Sequence, residues 1–509
     1  MPLPLAPLPS WFRPRPKGGN VTIVAEVPHV APWYRFRWSD VEERLPLYKE
    51  AGADTLALWP IWDYPRPRVK RITVKTAKGE VSLWITTWGW APTDYRKLNP
   101  DKGSERDFLR LVRRAHELGL KVVPVFQVSY SFQGGFIYEK HPEWILRSIY
   151  GGFAIIWPWR GFEWGFVVNK SHSGLVRFVT EEVLPHWVEV WEVDGFWLDS
   201  PPMFYCDPRV YKICRRVGCV EGAEPLTPVE GFYTTEPLAR ALREKVEELK
   251  EKTGRDLVCA AEAPGASWSD WPDEYIEAIC RGKRLEHFWW KAINDPRIKD
   301  PCGKYWDWFC DYRFRTILWG VYKGARECAL SRNYVNLLRM EPLLPGRGSE
   351  RARFVNMLNH FGIHRPLHHP ERAECFLVLA ATAPGRVLWI GCGQVDELPE
   401  AKFLRPWYGR LALLKRSLPS LQSRNIEDAL VEPEVPGLIA YNRWEGEEAV
   451  TVVVNASGEK RTARLRPKFG RAGRKAWDLL HGGPFECDPK GTMVVALPPW
   501  TARILAPSA

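Results

Sequence analysis

Apolar positions along the chain fall into two rhythms. Short runs rich in β-branched and aromatic residues recur at 21–25 (VTIVA), 54–59 (DTLALW), 121–126 (KVVPVF), 195–198 (GFWL), 257–261 (LVCAA), 285–290 (LEHFWW), 354–358 (FVNML) and 387–390 (VLWI). Between them, apolar residues three and four apart predict helices over 40–51, 105–118, 173–191, 236–252, 308–323, 371–381 and 403–416. Apolar strands alternating with helices predict an α/β fold with a parallel sheet, and eight such units predict a (β/α)8 TIM barrel.

Two stretches break the rhythm. The segment 127–170 is too long for a strand-to-helix loop and is crowded with rings: Tyr130, Phe132, Phe136, Trp144, Trp157, Trp159, Phe162 and Trp164. An excursion of that length is usually functional, and it predicts a subdomain over the C-terminal face of the barrel, where barrel active sites lie. From about 430 the chain alternates strictly (LIAYNRW, AVTVVVNAS, TARLRP, GTMVVALPPWTARILA), which predicts an antiparallel β-domain. The expected organisation is therefore a barrel over 1–126 and 171–428, an aromatic-rich insertion after strand 3 over 127–170, and a C-terminal β-sandwich over 429–509. The proline-rich first 16 residues read as a strapped-down arm.

Composition narrows the function classes. Hydrophobic residues make up 45% and charged residues 26% of the 509, a globular balance. The unusual counts are 44 Pro and 27 Trp, and indole suits flat, amphipathic ligands such as sugars. The net charge of +11 is spread among 61 acids, which argues against a nucleic-acid partner. No run reaches the roughly 20 apolar residues of a membrane span. The start MPLPLAPLPSWFRPRP lacks the basic head and apolar core of a signal peptide, so a cytoplasmic protein with no membrane partner is expected. Abundant proline and dense charge accord with a thermophilic source. Among the 11 cysteines, the spacing Cys206, Cys214, Cys219 contains no CxxC and no nearby histidine pair, so buried thiols or a local disulfide are expected rather than zinc.

The candidate chemistry lies at the ends of the fourth and fifth runs. VDGFWLDSPP (193–202) ends in Asp199, and DLVCAAEAP (256–264) carries Glu262. Acids at such places also cap helices for structural reasons. A pair at the ends of neighbouring parallel strands is well placed to attack an anomeric carbon and to protonate a leaving oxygen.

Read in order, these segments resemble the alpha-amylase superfamily, glycoside hydrolase family 13 and its neighbours, over nearly the whole chain. GADTLALWPI (52–61) is similar to the family's second strand, and WGWAPTDYRKLNPDKGSERDFLRLVRRAHELGLKVV (88–123) to its glycine-aromatic turn, helix and third strand. FVNMLNHFGIHRP (354–366), LAATAPGRVLWIGCGQ (379–394), WYGRLALLKRSLPSLQSRN (407–425) and PPWTARIL (498–505) resemble the seventh strand, the eighth, the last barrel helix and the C-terminal β-domain. The resemblance implies that Asp199 is the nucleophile and Glu262 the general acid/base of a retaining glycosidase or transglycosylase acting on alpha-linked glucans. It implies sugar contacts at Trp90, Tyr130, Trp197, His360, Phe361 and Arg365, an oligosaccharide or polysaccharide partner, and no metal or organic cofactor.

The departures are specific. Trp197 replaces the arginine two positions before the nucleophile, and Phe361 replaces the third acid after Asn359 and His360. In VFQVSY, Val125, Ser129 and Tyr130 replace the third-strand aspartate, asparagine and histidine, which puts the family's calcium site in doubt. Asp94 reads as structural. FWLD also resembles the nucleophile motif of the family 31 glucosidases. The histidines of HRPLHHP (364–370) read as a loop, because Pro366 and Pro370 oppose a metal-binding helix. A rival expectation follows from the losses: a catalytically degenerate carbohydrate-binding or scaffold protein.

Overall fold

Parallel strands and helices alternate around a closed barrel. The computed structural model describes residues 3–15, 22–27, 37–66, 69–86, 89–155, 162–163, 165–199, 208–219, 226–231, 233–262, 272–281, 305–339, 354–356, 369–384, 387–390 and 401–508. The barrel strands are β1 (Thr22–Val27), β2 (Thr55–Leu58), β3 (Lys121–Phe126), β4 (Gly195–Leu198), β5 (Val258–Ala261), β6 (Trp308–Asp311), β7 (Phe354–Asn356) and β8 (Val387–Ile390). Each pairs in parallel with its sequence neighbour, and β8 closes on β1 with Val387 opposite Thr22. The expected barrel fold is therefore present.

Strands β2, β4 and β5 are buried along their whole length, which is why they read as continuous apolar runs. Alternate residues face inward: Ala57, Val123, Val125, Trp197, Val258, Ala260 and Trp308 form one cluster. Leu56, Leu58, Val122, Phe196, Leu198, Cys259 and Ala261 belong to the larger core against the helices. Small and large side chains complement one another in the interior. Ala260 is in register with both Trp197 and Trp308, whose rings are 5.9 Å apart. Gly195 has φ +113°, and a Cβ there would lie 2.0 Å from the Val258 carbonyl oxygen, so the glycine of the VDGFWLD motif is a steric requirement.

The helix Glu105–Glu117 illustrates how the outer layer forms. Ser104 accepts from the Asp107 amide, while Asp107 accepts from the Ser104 amide, a reciprocal cap. Phe108, Leu111, Val112 and Ala115 supply its buried stripe. At the N-terminal end of the strands, buried Asp194 accepts from the Val122 amide at 2.8 Å, from His116 at 2.8 Å and from Arg255 at 2.7 Å. This fastens the face opposite the candidate site.

Two of the differences from the sequence expectation concern the sixth barrel strand and the connection after β2. The sixth strand is Trp308–Asp311, where the pattern predicts the start of a helix, and the helix is Tyr312–Tyr322. The strand runs into the helix with no turn residue between, so the two apolar patterns merge. The run 285–290 expected for that strand lies outside the described residues. The second difference is a hairpin, Val69–Thr76 with Gly79–Thr86, between β2 and the following helix. Its strand Gly79–Thr86 also pairs with Phe162–Glu163, so the excursions after β2 and β3 share one sheet.

The C-terminal part has a six-stranded and a three-stranded sheet. Leu438, Ala440, Val453, Leu465, Val495, Leu497 and Leu505 form the core of this domain. Ile439, Tyr441, Val450, Val452 and Ile504 join the barrel core instead. Among the described residues, no helix is long and apolar enough to cross a membrane.

Candidate active site

Strand alternation fixes where the two acids point. Trp197 faces the barrel interior, so Asp199, two residues on, lies on the inward face at the C-terminal end of β4. Val258 and Ala260 face inward, which places Glu262 likewise at the end of β5. Ala261 is in register with Leu198, and the Glu262 amide donates to the Leu198 carbonyl at 2.8 Å. The two acids thus stand on adjacent strands, about 4.8 Å apart in the pairing direction. The Asp199 amide is also tied, donating to the Phe126 carbonyl of β3 at 2.8 Å.

Asp199 is 7% exposed, and the residues just past β3 surround it. The Tyr130 hydroxyl donates to Asp199 Oδ2 at 3.4 Å, and the Ser129 hydroxyl to the Asp199 carbonyl at 3.4 Å. Burial, then the charges of Asp199 and Glu262, hold the Tyr130 phenol well above its usual range, so it stays a proton donor. The Gln127 side-chain amide donates to the Tyr130 carbonyl at 3.1 Å and fixes this turn. Lys170 is fully buried, and its Nζ donates to Ser129 Oγ at 3.1 Å. Sequence reasoning missed Lys170: nothing in VVNKS distinguishes it from a surface lysine, and only the return of the long excursion brings it under the barrel mouth.

The described rings of this region pack into one cluster. Trp90 and Trp59 lie with centroids 5.5 Å apart at 44° and join Tyr130 in the cluster that contains Trp197. Trp197 is 2% exposed and packed on Trp308, so its indole is part of the barrel floor beneath the acids. Asp94 accepts from the Arg96 amide at 2.9 Å, and Arg96 reaches Glu182 at 2.6 Å, a structural tie between loop and helix. His360, Phe361 and Arg365, with Trp88, Trp157, Trp159, Trp164, His364 and His368, lie outside the described residues. His369 is exposed, just before the helix Pro370–Thr382. Among the described residues, the ligand atoms that come within metal-binding reach belong to Cys214, Cys219 and Cys280, which are not part of this constellation.

No family model matches the chain. A 1,4-alpha-glucan branching enzyme from Rhodopseudomonas palustris is 22% identical over 400 residues, covering 72% of this chain and 48% of the relative. The chain thus spans about half the length of that curated relative. A noncanonic maltogenic alpha-amylase from Thermotoga neapolitana superposes with a TM-score of 0.63 at 16% identity, covering 96% of this chain and 99% of the other. An alpha-amylase from Lactobacillus plantarum gives 0.63 at 18% identity, with 95% and 98% covered. The fold is that of the alpha-amylases. A Nostoc punctiforme debranching enzyme shares it, with a TM-score of 0.59 at 13% identity over 95% of this chain and 98% of the other. The resemblance read from the motifs is thus matched along the chain by the alpha-amylase fold. Within that fold this chain keeps an acid at the end of β4 and another at the end of β5, and fills the floor beneath them with tryptophan.

Proposed function

We propose that the protein is a retaining glycoside hydrolase or transglycosylase of alpha-linked glucans. One observation carries the reading: Asp199 and Glu262 end adjacent strands in register, both on the inward face at the C-terminal mouth of the barrel. Retaining enzymes hold such a pair of carboxyl groups about 5–5.5 Å apart, a separation that two side chains on adjacent strands can reach. Asp199 attacks the anomeric carbon, and the bond to the glycosidic oxygen breaks as Glu262 gives that oxygen its proton. The Glu262 carboxylate then takes a proton from water or an acceptor hydroxyl, whose oxygen displaces Asp199 from the sugar. Tyr130 holds the Asp199 carboxylate, and Trp90, packed against Trp59 in the same cluster as Tyr130, offers a ring to the sugar. His360, Phe361 and Arg365 complete the proposed sugar contacts. Relatives named as amylases, a branching enzyme and a debranching enzyme support the substrate class.

The test is product analysis at elevated temperature with glycogen, maltooligosaccharides, trehalose and branched glucans. Products made by the parent and lost in Asp199→Asn and in Glu262→Gln, with both variants still folded, are the expected result. The absence of products from every glucan would favour a second reading, a barrel that binds carbohydrate without cleaving it. Trp197 in place of the motif arginine is the observation on that side.

A further inference from the structure

Three cysteine sulfurs meet between the helix that follows β4 (Pro208–Val217) and the helix that follows β5 (Asp273–Cys280). Cys214 and Cys280 are buried and Cys219 is half-buried. Their Sγ atoms all lie within 4.8 Å of one another. Cys214 and Cys219 are joined as a disulfide, and Cys280 Sγ stands 2.8 Å from Cys214 Sγ. Sequence spacing hides this group, because Cys280 is 66 residues beyond Cys214.

A disulfide uses two of these sulfurs and leaves the third buried against them. A tetrahedral thiolate site uses all three: with zinc–sulfur bonds of about 2.3 Å, its sulfurs stand about 3.8 Å apart. That distance falls inside the spread of the cluster. The half-buried side at Cys219 leaves room for a fourth ligand from solvent. The two helices are otherwise tied by ion pairs, Arg209 to Asp273, and Arg216 to Asp273 at 3.2 Å and to Glu277 at 2.8 Å. A Cys214–Cys219 bond closes a short loop within one segment. A metal held by all three cysteines would fasten together the two segments that leave Asp199 and Glu262.

We propose that Cys214, Cys219 and Cys280 of the reduced protein bind a thiophilic divalent metal ion, zinc in the first instance. A low-molecular-weight dithiol supplies the two electrons and two protons that open the Cys214–Cys219 bond, and is itself oxidised to its disulfide. The metal then takes the three sulfurs as thiolates and releases their protons. The role is structural, and it is independent of whether the carboxylate pair cleaves glucans.

The experiment uses the full chain, reduced with a dithiol, equilibrated with zinc and desalted anaerobically, with metal counted by mass spectrometry. Zinc at about one ion per chain, and a cobalt form with thiolate-to-metal charge-transfer absorption, are the expected results. Cys280→Ser should weaken zinc binding at least tenfold. Cys219→Ser, at the half-buried position, supplies a second variant with the same expectation should the first fail to fold. Reduced parent protein that holds no zinc would overturn the proposal. So would a folded Cys280→Ser or Cys219→Ser protein that keeps the parent's affinity. A Cys214–Cys219 disulfide that persists in peptide maps after dithiol treatment, with no metal bound, would do the same.

Discussion

The hydroxyl of Tyr130 stands 3.4 Å from Oδ2 of Asp199, the tyrosine arriving from the turn past β3 and the aspartate from the end of the neighbouring β4. Burial and the two nearby carboxylates keep the phenol protonated, so the bond has a fixed sense, with Tyr130 donating. A hydrogen bond to a charged acceptor contributes about 1.5 kcal/mol at the low end of its range, suited to this length. Tyr130→Phe should therefore lower kcat/KM on a glucan substrate about tenfold, with thermal stability little changed. Steady-state kinetics with a maltooligosaccharide check this. An unchanged rate would reduce Tyr130 to a packing residue.

Lys170 is the second residue whose role is set by the long excursion. Its ammonium is buried and reaches the Asp199 backbone through Ser129 Oγ. The hydrogen bonds from Lys170 to Ser129 and from Ser129 to the Asp199 carbonyl fix the backbone that carries the Asp199 carboxylate. Lys170→Met should lower kcat at least tenfold with a smaller change in KM, and Lys170→Arg should recover part of it. A Met variant with parent kcat and only a lower Tm would assign the lysine to structure alone.

The sequence patterns differ in how well they report these features. Seven barrel strands are legible as short apolar runs, and in β2, β4 and β5 the runs are unbroken because both faces are buried. The hairpin at 69–86 was equally open to reading: VKRITVKT and EVSLWIT alternate strictly around a glycine at φ +96°. It lies in the connection between β2 and the next barrel helix, where the alternation of barrel units predicts a loop. The placement of Asp199 and Glu262 at strand ends is legible from the motifs, whereas no motif marks Lys170 or Cys280. Each acquires its partners from segments tens of residues away, and no local period carries that information. The motif position of Trp197 implies a sugar contact, and its packing in the floor depends on Ala260 and Trp308 on other strands.

That packing gives a prediction about the missing arginine. Trp197 lies against Trp308 with Ala260 in register between them, in an interior of Ala57, Val123, Val125 and Val258. Trp197→Arg would place a guanidinium among these apolar groups and remove the ring that fills the space. A buried charge without a designed partner costs about 3–5 kcal/mol. The variant should melt several degrees below the parent and show no gain in activity on any glucan, measured by calorimetry and product assay. A variant as stable as the parent and faster would mean that the arginine pocket persists intact.

A final prediction concerns pH and the junction between the barrel and the β-domain. Glu374, on the barrel helix Pro370–Thr382, is fully buried and accepts from the Leu3 amide at 3.1 Å, the Ala502 amide at 2.8 Å and His481 Nε2 at 2.9 Å. One carboxylate thus joins the N-terminal arm, the barrel and the C-terminal domain. Burial pulls the His481 pKa down, but the hydrogen bond and charge of Glu374, with the charge of Asp478, outweigh it and leave the pKa raised. A histidine whose folded pKa is raised stabilises the fold fully below its unfolded value, about 6.5, and loses that contribution as pH rises through the folded value. The difference between a charged and a neutral hydrogen bond here is on the order of 1 kcal/mol. Melting temperature should fall on going from about pH 6 to about pH 9 by about 1 °C. His481→Gln should melt lower than the parent at the acid end and lose most of that slope. Glu374→Gln should be destabilised at both ends, because two backbone amides also lose their charged acceptor. Equal slopes in parent and His481→Gln would place the pH dependence elsewhere in the molecule.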